Sequence, residues 1–322
     1  MAAKPQLAIV IVTWNVRNLV LECLRSLFDD LMRTNAEASV WVVDNASTDG
    51  TAEAIRAAFP PHDYPTLHLL EAGENLGFAR GNNLALRALG FPTGQDLPNY
   101  VLLLNPDTVI LPGALQALLD GMEASGAGLA GARLIYGDGS FQHSAFDFPG
   151  LAQLILDLFP APGRLIESRL NGRYPRTLYE RGVPFEVGHP LGATFLLRRE
   201  AIQQSGLFDE QFYLYCEEID WALRIRAAGW KIVCVPSAVV IHHGGQSTAQ
   251  VRPQSVINLW TARLKLYRKH YRPLKRLLAV WIVRAGMNRL IKVTARDSSR
   301  PEDERKALVD AYREVIRLTH RL

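Results

Sequence analysis

The sequence has few cysteines and no long apolar run. Its three cysteines, Cys23, Cys216 and Cys234, are far apart and fit neither a metal-binding nor a disulfide spacing, so we expect a reduced, cytoplasmic setting. The first apolar run, Leu7 to Thr13, is too short for a secretory signal. No segment reaches the roughly 18 apolar residues that a membrane-spanning helix needs.

Phosphate-binding glycine motifs are also missing. The first apolar run is followed by "TWNVRN", which contains no glycine, and no Gly-Lys-Ser/Thr sequence occurs in the chain. These absences disfavour a dinucleotide-binding dehydrogenase and a P-loop ATPase.

Acidic residues are absent from Trp221 to Arg296. This window holds 15 Lys and Arg although the whole chain has a net charge of +4, so the remainder is net acidic. A basic block favours an anionic partner, and the aromatic residues among the charges favour a membrane surface over a nucleic acid. We therefore expect a peripheral position on the inner face of the cell membrane and no nucleic-acid partner. An ordinary solvated basic face is the alternative.

The first 135 residues alternate apolar strands with amphipathic helices. This order is typical of an α/β fold in which a mostly parallel central sheet has helices on both faces. Residues 137–190 are rich in Gly, Pro and Phe, and we interpret them as a variable insertion that shapes an acceptor pocket. We predict one α/β domain over residues 1–250 and a basic, helical C-terminal extension over residues 251–322.

Polar residues follow three of the predicted strands. They are Thr13-Trp14-Asn15, Asp44-Asn45-Ala46-Ser47 and Asn105-Pro106-Asp107. Ligands of parallel sheets bind beyond the carboxyl ends of the strands, so three polar strand ends predict a binding site. For Asn105-Pro106-Asp107 a simple turn is the alternative, because all three residue types favour turns.

A helix predicted to begin at Gly77 suits an anion. Its N-terminus offers free N–H groups, Arg80 adds a guanidinium group suited to phosphate, and Asn82 and Asn83 follow within two turns. Simple capping by Asn75 is the alternative.

Three carboxylates, Glu217, Glu218 and Asp220, open a later helix. Asp220 precedes Arg224 by four residues, which predicts a structural ion pair. The helical neighbours of Glu218 are instead apolar: Trp221, Ala222 and Ile225. Burial against them should raise the pKa of Glu218, as a general base requires.

Six segments in order, within about residues 6–245, resemble the inverting family 2 glycosyltransferases, and among them the rhamnosyltransferase-like and galactofuranosyltransferase-like branch. They are "IVIVTWN", "VWVVDNASTDGT", "ENLGFARGNN", "LLLNPDTVI", "GATFLLRRE" and "CEEIDWALRIRAAGW". The resemblance implies a GT-A fold and transfer of a sugar, first of all L-rhamnose, by a single inverting displacement in cell-surface polysaccharide synthesis. The implied donor is dTDP-rhamnose, with UDP-galactofuranose or another UDP-sugar next, and the acceptor is a glycan or a lipid-linked sugar.

The resemblance also assigns roles to residues. "NPD" resembles the family's Asp-x-Asp metal motif with Asn in the first position, so Asp107 and His242 would bind Mg²⁺ or Mn²⁺. Because Asn105 replaces an Asp, this metal site would carry one negative charge fewer than the family's motif. Glu218 would be the catalytic base. The nucleotide-sugar site would comprise Thr13, Trp14, Asn15, Asp44, Asn45, Asn75, Gly77, Arg80, Asn82 and Asn105, with Asp44 accepting from a pyrimidine N–H. The acceptor side would comprise Gly192, Ala193 and Glu217.

Two rival interpretations belong to other classes. A nucleotidyltransferase would carry a glycine-rich loop with a phosphate-binding Arg or Lys after the first strand, and this loop is missing. A non-catalytic module that binds nucleotide sugars or glycans would not need both Glu218 and Asp107, yet both are present.

The C-terminal segment gives two weaker signals. The apolar run Leu277–Val283, surrounded by Lys and Arg, is too short to span a bilayer but can lie on one. The last predicted helix carries an apolar stripe that would pack on the body of the protein or on a second copy. A homodimer is therefore one of two alternatives for this stripe. The stripe consists of Leu308, Ala311, Val315, Leu318 and Leu322.

Overall fold

The structure, a computed structural model, describes residues 4–244 and 252–321. Leu322, the last residue of the predicted stripe, and the predicted boundary between residues 250 and 251 lie outside these ranges. The strands are β1 (Gln6–Thr13), β2 (Glu37–Asp44), β3 (Leu67–Glu71), β4 (Tyr100–Leu104), β5 (Thr108–Ile110), β6 (Leu129–Ile135), β7 (Phe141–Gln142), β8 (Ala145–Phe146), β9 (Phe185–Glu186), β10 (His189–Pro190), β11 (Thr194–Arg198) and β12 (Ile232–His242). The helices are α1 (Arg17–Leu31), α2 (Thr51–Ala58), α3 (Gly77–Ala88), α4 (Ala114–Ser125), α5 (Leu151–Leu158), α6 (Gly163–Ile166), α7 (Arg176–Glu180), α8 (Arg199–Ser205), α9 (Glu217–Ala227), α10 (Arg252–His270), α11 (Pro273–Ala295) and α12 (Glu302–Leu318).

The main sheet has the strand order β3-β2-β1-β4-β11-β6-β12-β5. Strands β1 to β4 pair in parallel, as do β6 and β12, whereas β11 and β5 run antiparallel to their neighbours. The predicted mostly parallel sheet is therefore confirmed, with two reversed strands that the sequence did not indicate.

Helices cover both faces of the sheet, as predicted. On one face, Leu24 of α1 and Leu118 of α4 pack with Ile9 and Leu102 in the core. On the other face α3 approaches so closely that a Cβ on Gly81 would lie 2.9 Å from Val12 Cγ1. β1 is buried from Leu7 to Thr13, which explains its unbroken apolar run.

The chain forms two compact units. The first comprises the described residues of Met1–Phe146, Arg176–Glu210 and Glu218–Ser247, and the second those of Asp147–Pro175, Gln211–Glu217 and Thr248–Leu322. The predicted domain boundaries stay a prediction. No pattern in the sequence indicates that residues 147–175, which we assigned to an insertion, group with the C-terminal helices.

The second unit has a helical core of its own. Trp260 and Leu264 of α10, Val283 of α11 and Val315 of α12 pack with Leu158 of α5 in one buried cluster. Helices α10 to α12 confirm the predicted helical C-terminal part. Among the described helices, none combines the length and the apolar character needed to cross a membrane.

The predicted stripe of α12 faces this core. Leu308 and Ala311 are buried, and Leu318 packs against the cluster that contains Val315. The stripe is therefore used within its own unit, and the homodimer stays a prediction without this surface to support it.

Candidate active site

The loops after β1 and β2 hold each other by hydrogen bonds. Asn15 has a left-handed backbone (φ 52°), its N–H donates to Ser47 Oγ (3.0 Å), and its Oδ1 accepts from the N–H of Thr48 (2.8 Å). Asp44, buried at the end of β2, accepts from the N–H of Ser47 (3.1 Å) and from its Oγ (2.5 Å). A carboxylate offers about four acceptor positions, so Asp44 keeps capacity for a ligand N–H.

Two further polar atoms at these strand ends have no partner. Thr13 Oγ1 and Asn45 Oδ1 are buried and make no hydrogen bond with any residue that the structure describes. Buried polar atoms are nearly always paired, so this edge suits a ligand that brings its own polar groups. Trp14, half-buried, lies between Thr13 and Asn15.

Hydrogen bonds to asparagine side chains hold the start of α3, whose N-cap residue is Leu76 rather than Asn75. Asn75 Oδ1 accepts from the N–H of Gly77 (3.0 Å), and Asn45 Nδ2 donates to the Gly77 carbonyl (3.1 Å). Gly77 has φ 75°, which favours glycine. Asn82 is buried and donates to Phe78 O within the helix (2.9 Å), whereas Arg80 is exposed, 3.8 Å from Glu74. The phosphate contacts assigned to Arg80 and Asn82 stay predictions.

Asn105-Pro106-Asp107 forms a turn between β4 and β5. The carbonyl of Asn105 accepts from Thr108 Oγ1 (2.7 Å) and from Cys23 Sγ (3.6 Å). Burial raises the pKa of Cys23 to about 12. The side-chain Oδ1 of Asn105 is buried and accepts no hydrogen bond from the described residues. The segment is thus both a turn and the carrier of an unpaired oxygen at the strand end.

Strand pairing brings Asp107 and His242 together. In the antiparallel pair of β5 and β12, His242 lies opposite Thr108, and the N–H of His243 donates to Asp107 O (3.0 Å). As a result, His242 Nε2 lies 3.5 Å from Asp107 Oδ1, with both side chains about a tenth exposed.

Gln142 orients the His242 ring. Its Oε1 lies 3.2 Å from His242 Nδ1 and accepts from this nitrogen when Nδ1 carries the proton; in that tautomer the neutral ring presents the Nε2 lone pair to Asp107. Burial lowers the pKa of His242. The charge of Asp107 acts to raise this pKa and His243 to lower it further, and the net shift is downward. Sequence reasoning missed Gln142, because a lone Gln 100 residues from its partner gives no signal.

These residues fit a divalent cation. In the tautomer protonated on Nδ1, a carboxylate oxygen and an imidazole lone pair face each other at 3.5 Å, and a cation between them would stabilise this arrangement. The described residues contain no group of three or more His, Cys, Asp or Glu that could hold a metal. The donor set therefore suits Mg²⁺ or Mn²⁺ bound through one or two protein ligands together with the phosphates of a substrate.

Glu218 and Asp220 have different surroundings, as predicted. Asp220 is fully buried and accepts from Arg224 Nε (2.9 Å), which confirms the structural ion pair. Glu218 is half-buried, and burial raises its pKa, as expected for a carboxylate whose neighbours Trp221 and Ala222 are buried and apolar. Glu217 is buried at the first position of α9.

Gly192 and Ala193 link Glu218 to the end of β4. The carbonyl of Ala193 accepts from the N–H of Asn105 (3.0 Å), and a Cβ on Gly192 would lie 3.6 Å from Glu218 Cγ. The pairing of β11 with β4 thus holds a raised-pKa carboxylate near the strand end that precedes Asp107. The acceptor role of Gly192, Ala193 and Glu217 stays a prediction.

Comparison with known proteins gives consistent results. The family model described as "Glycosyl transferase family 2" matches residues 8–206. The chain is 35% identical over 232 residues to N-acetylglucosaminyl-diphospho-decaprenol L-rhamnosyltransferase of Mycobacterium tuberculosis (strain ATCC 25618 / H37Rv), covering 68% of this chain and 71% of the relative. It is 25% identical over 175 residues to the rhamnosyltransferase WbbL of Escherichia coli (strain K12), covering 53% and 62%.

Solved structures share the fold. The mannosyltransferase PcManGT from Pyrobaculum calidifontis, in complex with GDP-Man and Mn²⁺, matches with a TM-score of 0.57 and 17% identity, covering 99% of this chain and 85% of the other. GalNAc-T7 with UDP, GalNAc and Mn²⁺ matches with a TM-score of 0.58 and 12% identity, covering 98% and 57%.

Proposed function

Because the chain belongs to glycosyl transferase family 2 and has the predicted GT-A fold, we propose that it transfers a sugar from a nucleotide diphosphate to a glycan or lipid-linked acceptor by single inverting displacement. The observation that carries this proposal is the Asp107–His242 pair at the start of β5, with Glu218 held near the end of β4 through Gly192 and Ala193. The family membership argues against the nucleotidyltransferase interpretation.

The nucleoside binds at the ends of β1 and β2. Asp44 accepts from a base N–H with the oxygen positions that Ser47 does not use. Thr13 Oγ1 and Asn45 Oδ1 supply further polar contacts, and Asn15 keeps the two loops together. Since these groups are already fixed, little conformational entropy is lost when the donor binds.

The diphosphate binds at the turn between β4 and β5. Asp107 and His242 would hold Mg²⁺ or Mn²⁺, and such an ion, when bound, would neutralise the charge that grows on the leaving diphosphate. Gln142 keeps the Nε2 lone pair of His242 directed at this position. Asn105 replaces a carboxylate by an amide, so we expect weaker metal affinity than for an Asp-x-Asp pair.

Glu218 acts as the general base. Its carboxylate takes the proton of the acceptor hydroxyl while the acceptor oxygen bonds to the anomeric carbon. The bond from this carbon to the diphosphate oxygen breaks, and its electron pair leaves with the diphosphate, which inverts the anomeric centre. Burial shifts the pKa of Glu218 towards neutral pH, and a general base is most effective when its pKa is near the working pH.

The rhamnosyltransferase relatives support L-rhamnose, from dTDP-rhamnose, as the first donor to test, with UDP-galactofuranose or another UDP-sugar next. The Mycobacterium tuberculosis relative, whose name contains a diphospho-decaprenol, supports a lipid-linked acceptor in cell-surface polysaccharide synthesis. Together with the basic segment Trp221–Arg296, this favours a place at the inner face of the cell membrane.

A donor screen tests the proposal. The purified protein is incubated with dTDP-rhamnose, UDP-galactofuranose, UDP-GlcNAc and GDP-mannose, each with Mg²⁺, Mn²⁺ or EDTA, and release of nucleoside diphosphate is measured beside calorimetric binding. We expect metal-dependent release from one donor and its loss in Asp107→Ala. Full activity in EDTA would overturn the metal assignment. Tight binding without turnover on any lipid-linked acceptor would favour a non-catalytic binding module.

A further inference from the structure

Helix α11 exposes large apolar side chains. One side of it, with Val283 and Met287, is buried in the core of the second unit. The opposite side is exposed: Leu274 and Trp281 at 70% of their surface, Leu277 at 56% and Leu278 at 45%. Scattered exposed leucines are ordinary, but four large apolar side chains within eight residues form a contiguous patch. We refer to these four residues as the α11 outer patch.

The patch lies on one face of the helix. At 100° per residue, Leu274, Leu277, Leu278 and Trp281 fall within an arc of about 100°, and Ala285 continues it one turn further. The patch extends about 10 Å along the axis. The periodicity of the whole helix does not reveal this face, because the other side of α11 is apolar too and is covered by α5, α10 and α12.

The charge around the patch has one sign. Lys275 borders it beside Leu278, exposed Arg272 lies at its N-terminal end, α11 contains no Asp or Glu, and neither basic residue has an acidic partner among the described residues. Lys275 Nζ lies instead 3.8 Å from the centre of the Tyr271 ring. An apolar face with cations beside it and no carboxylate on the same helix suits a surface that is apolar inside and anionic outside.

We propose that the α11 outer patch docks on an anionic lipid bilayer, with α11 lying in the plane of the interface. Tryptophan and leucine insert at the depth of the head groups, roughly 5–10 Å, while flanking Lys and Arg contact lipid phosphates. An acidic protein surface would match the basic residues beside the patch, but it would offer no apolar interior for Trp281 and the leucines. Among the described helices, none can span the membrane. The proposal does not depend on the glycosyltransferase reaction.

Vesicle sedimentation with the full chain tests the apolar part. Vesicles of phosphatidylcholine alone and of phosphatidylcholine with phosphatidylglycerol are compared. We expect binding to the anionic vesicles, and a loss of about tenfold or more when Leu277→Ser and Trp281→Ser are combined. The matched control is Val183→Ser, because Val183 is 58% exposed, close to the 56% of Leu277, but lies outside α11. It should bind like the wild type.

A second pair of variants tests the charges. Arg272→Gln with Lys275→Gln should weaken binding about fivefold for each charge removed and reduce its salt dependence. Arg181→Gln, an exposed charge outside α11, is the control. With brominated lipids, quenching of tryptophan fluorescence should fall in Trp281→Phe while the protein still sediments.

Three results would overturn the proposal. They are equal binding to neutral and anionic vesicles, unchanged binding of both double variants, and a concentration-dependent dimer that the Leu277/Trp281 variant abolishes, since a second copy would then be the occupant. Thermal melting and nucleotide-sugar affinity should not change in any variant. A failure here would therefore leave the proposed reaction untouched.

Discussion

The two halves of the candidate site are built differently. At the ends of β1 and β2, Asn15, Asp44 and Ser47 form hydrogen bonds that hold the short loops in place. At the start of β5, by contrast, side chains from distant segments meet: the carboxylate of Asp107 faces His242, and Asn105 Oδ1 has no partner within the described residues. The first half is a preformed polar surface whose unpaired atoms, Thr13 Oγ1 and Asn45 Oδ1, are neutral, and the second needs a ligand to balance its charges. Substitutions in the first half should therefore change donor affinity, whereas substitutions in the second half should change the chemical step.

The largest expected effect is on turnover, in Glu218→Gln. Loss of a positioned general base lowers kcat by about 10²–10⁴. The Kd for the nucleotide sugar should hardly change, because Glu218 acts on the acceptor hydroxyl. Steady-state kinetics and calorimetry measure the two quantities. Normal turnover in this variant, with loss of turnover in a folded Glu217→Gln, would move the base to the neighbouring residue.

The same variant has a pH signature. Since the pKa of Glu218 is raised, ionisation of Glu218 in the folded protein costs stability at pH values above its unfolded pKa. Glu218→Gln should therefore raise Tm near neutral pH, with a difference that shrinks as the pH falls towards the ordinary carboxyl range. In the wild type, kcat should rise with pH through this raised pKa. A pH-independent Tm difference would contradict burial as the cause.

Asp220→Asn sharpens the contrast within α9. Asp220 is buried with Arg224, so breaking the pair should destabilise the fold by about 3 kcal/mol. At low temperature, where Asp220→Asn remains folded, its kcat should equal that of the wild type. Chemical denaturation monitored by circular dichroism gives the free energy of unfolding, and Asp138→Asn, at an exposed carboxylate, is the control. A stable but inactive variant would show that Asp220, rather than Glu218, takes part in the reaction.

Gln142→Met should act on the metal rather than on the nucleotide. Removing the acceptor for His242 Nδ1–H frees the ring to rotate, and such partners typically contribute about 10–100-fold in metal affinity. Titration with Mn²⁺, followed by electron paramagnetic resonance in the presence of nucleoside diphosphate, measures this change. Gln142→Glu should restore or tighten binding, because a carboxylate also accepts from Nδ1–H. An unchanged Mn²⁺ affinity in both variants would remove Gln142 from the site.

The smallest effect is expected in the first half. Asp44→Asn keeps the shape but weakens acceptance from the base N–H, so the donor Kd should rise about tenfold while kcat stays near normal. Calorimetry with the nucleoside diphosphate alone should show the same loss. If kcat falls instead, the division between a binding half and a chemical half is wrong.

The sequence predicted the local features of this site well. The apolar runs gave the strands, the spacing of Asp220 and Arg224 gave their ion pair, and the apolar neighbours of Glu218 gave the direction of its pKa shift. All three depend on residues within a few positions of one another. The resemblance, rather than any pattern, linked Asp107 with His242.

Contacts between distant segments were not predictable. The approach of Gln142 to His242 depends on β7 and β12 both lying beside β6, and the packing of α5 with Leu264 and Val283 depends on the whole second unit. Gly81 is a similar case, since only the packed structure shows that a side chain there would collide with Val12. Such contacts are set by tertiary packing and leave no short-range pattern.

The burial of Cys23 beneath the turn after β4 provides an internal reporter. All three cysteines are buried, and burial raises the pKa of Cys23 and of Cys234 to about 12, so the folded chain holds protonated, shielded thiols. A maleimide dye can react only after a cysteine becomes exposed. In a chain reduced to Cys23 alone, the labelling rate would measure how often the Asn105–Asp107 turn opens, and a bound donor should slow it.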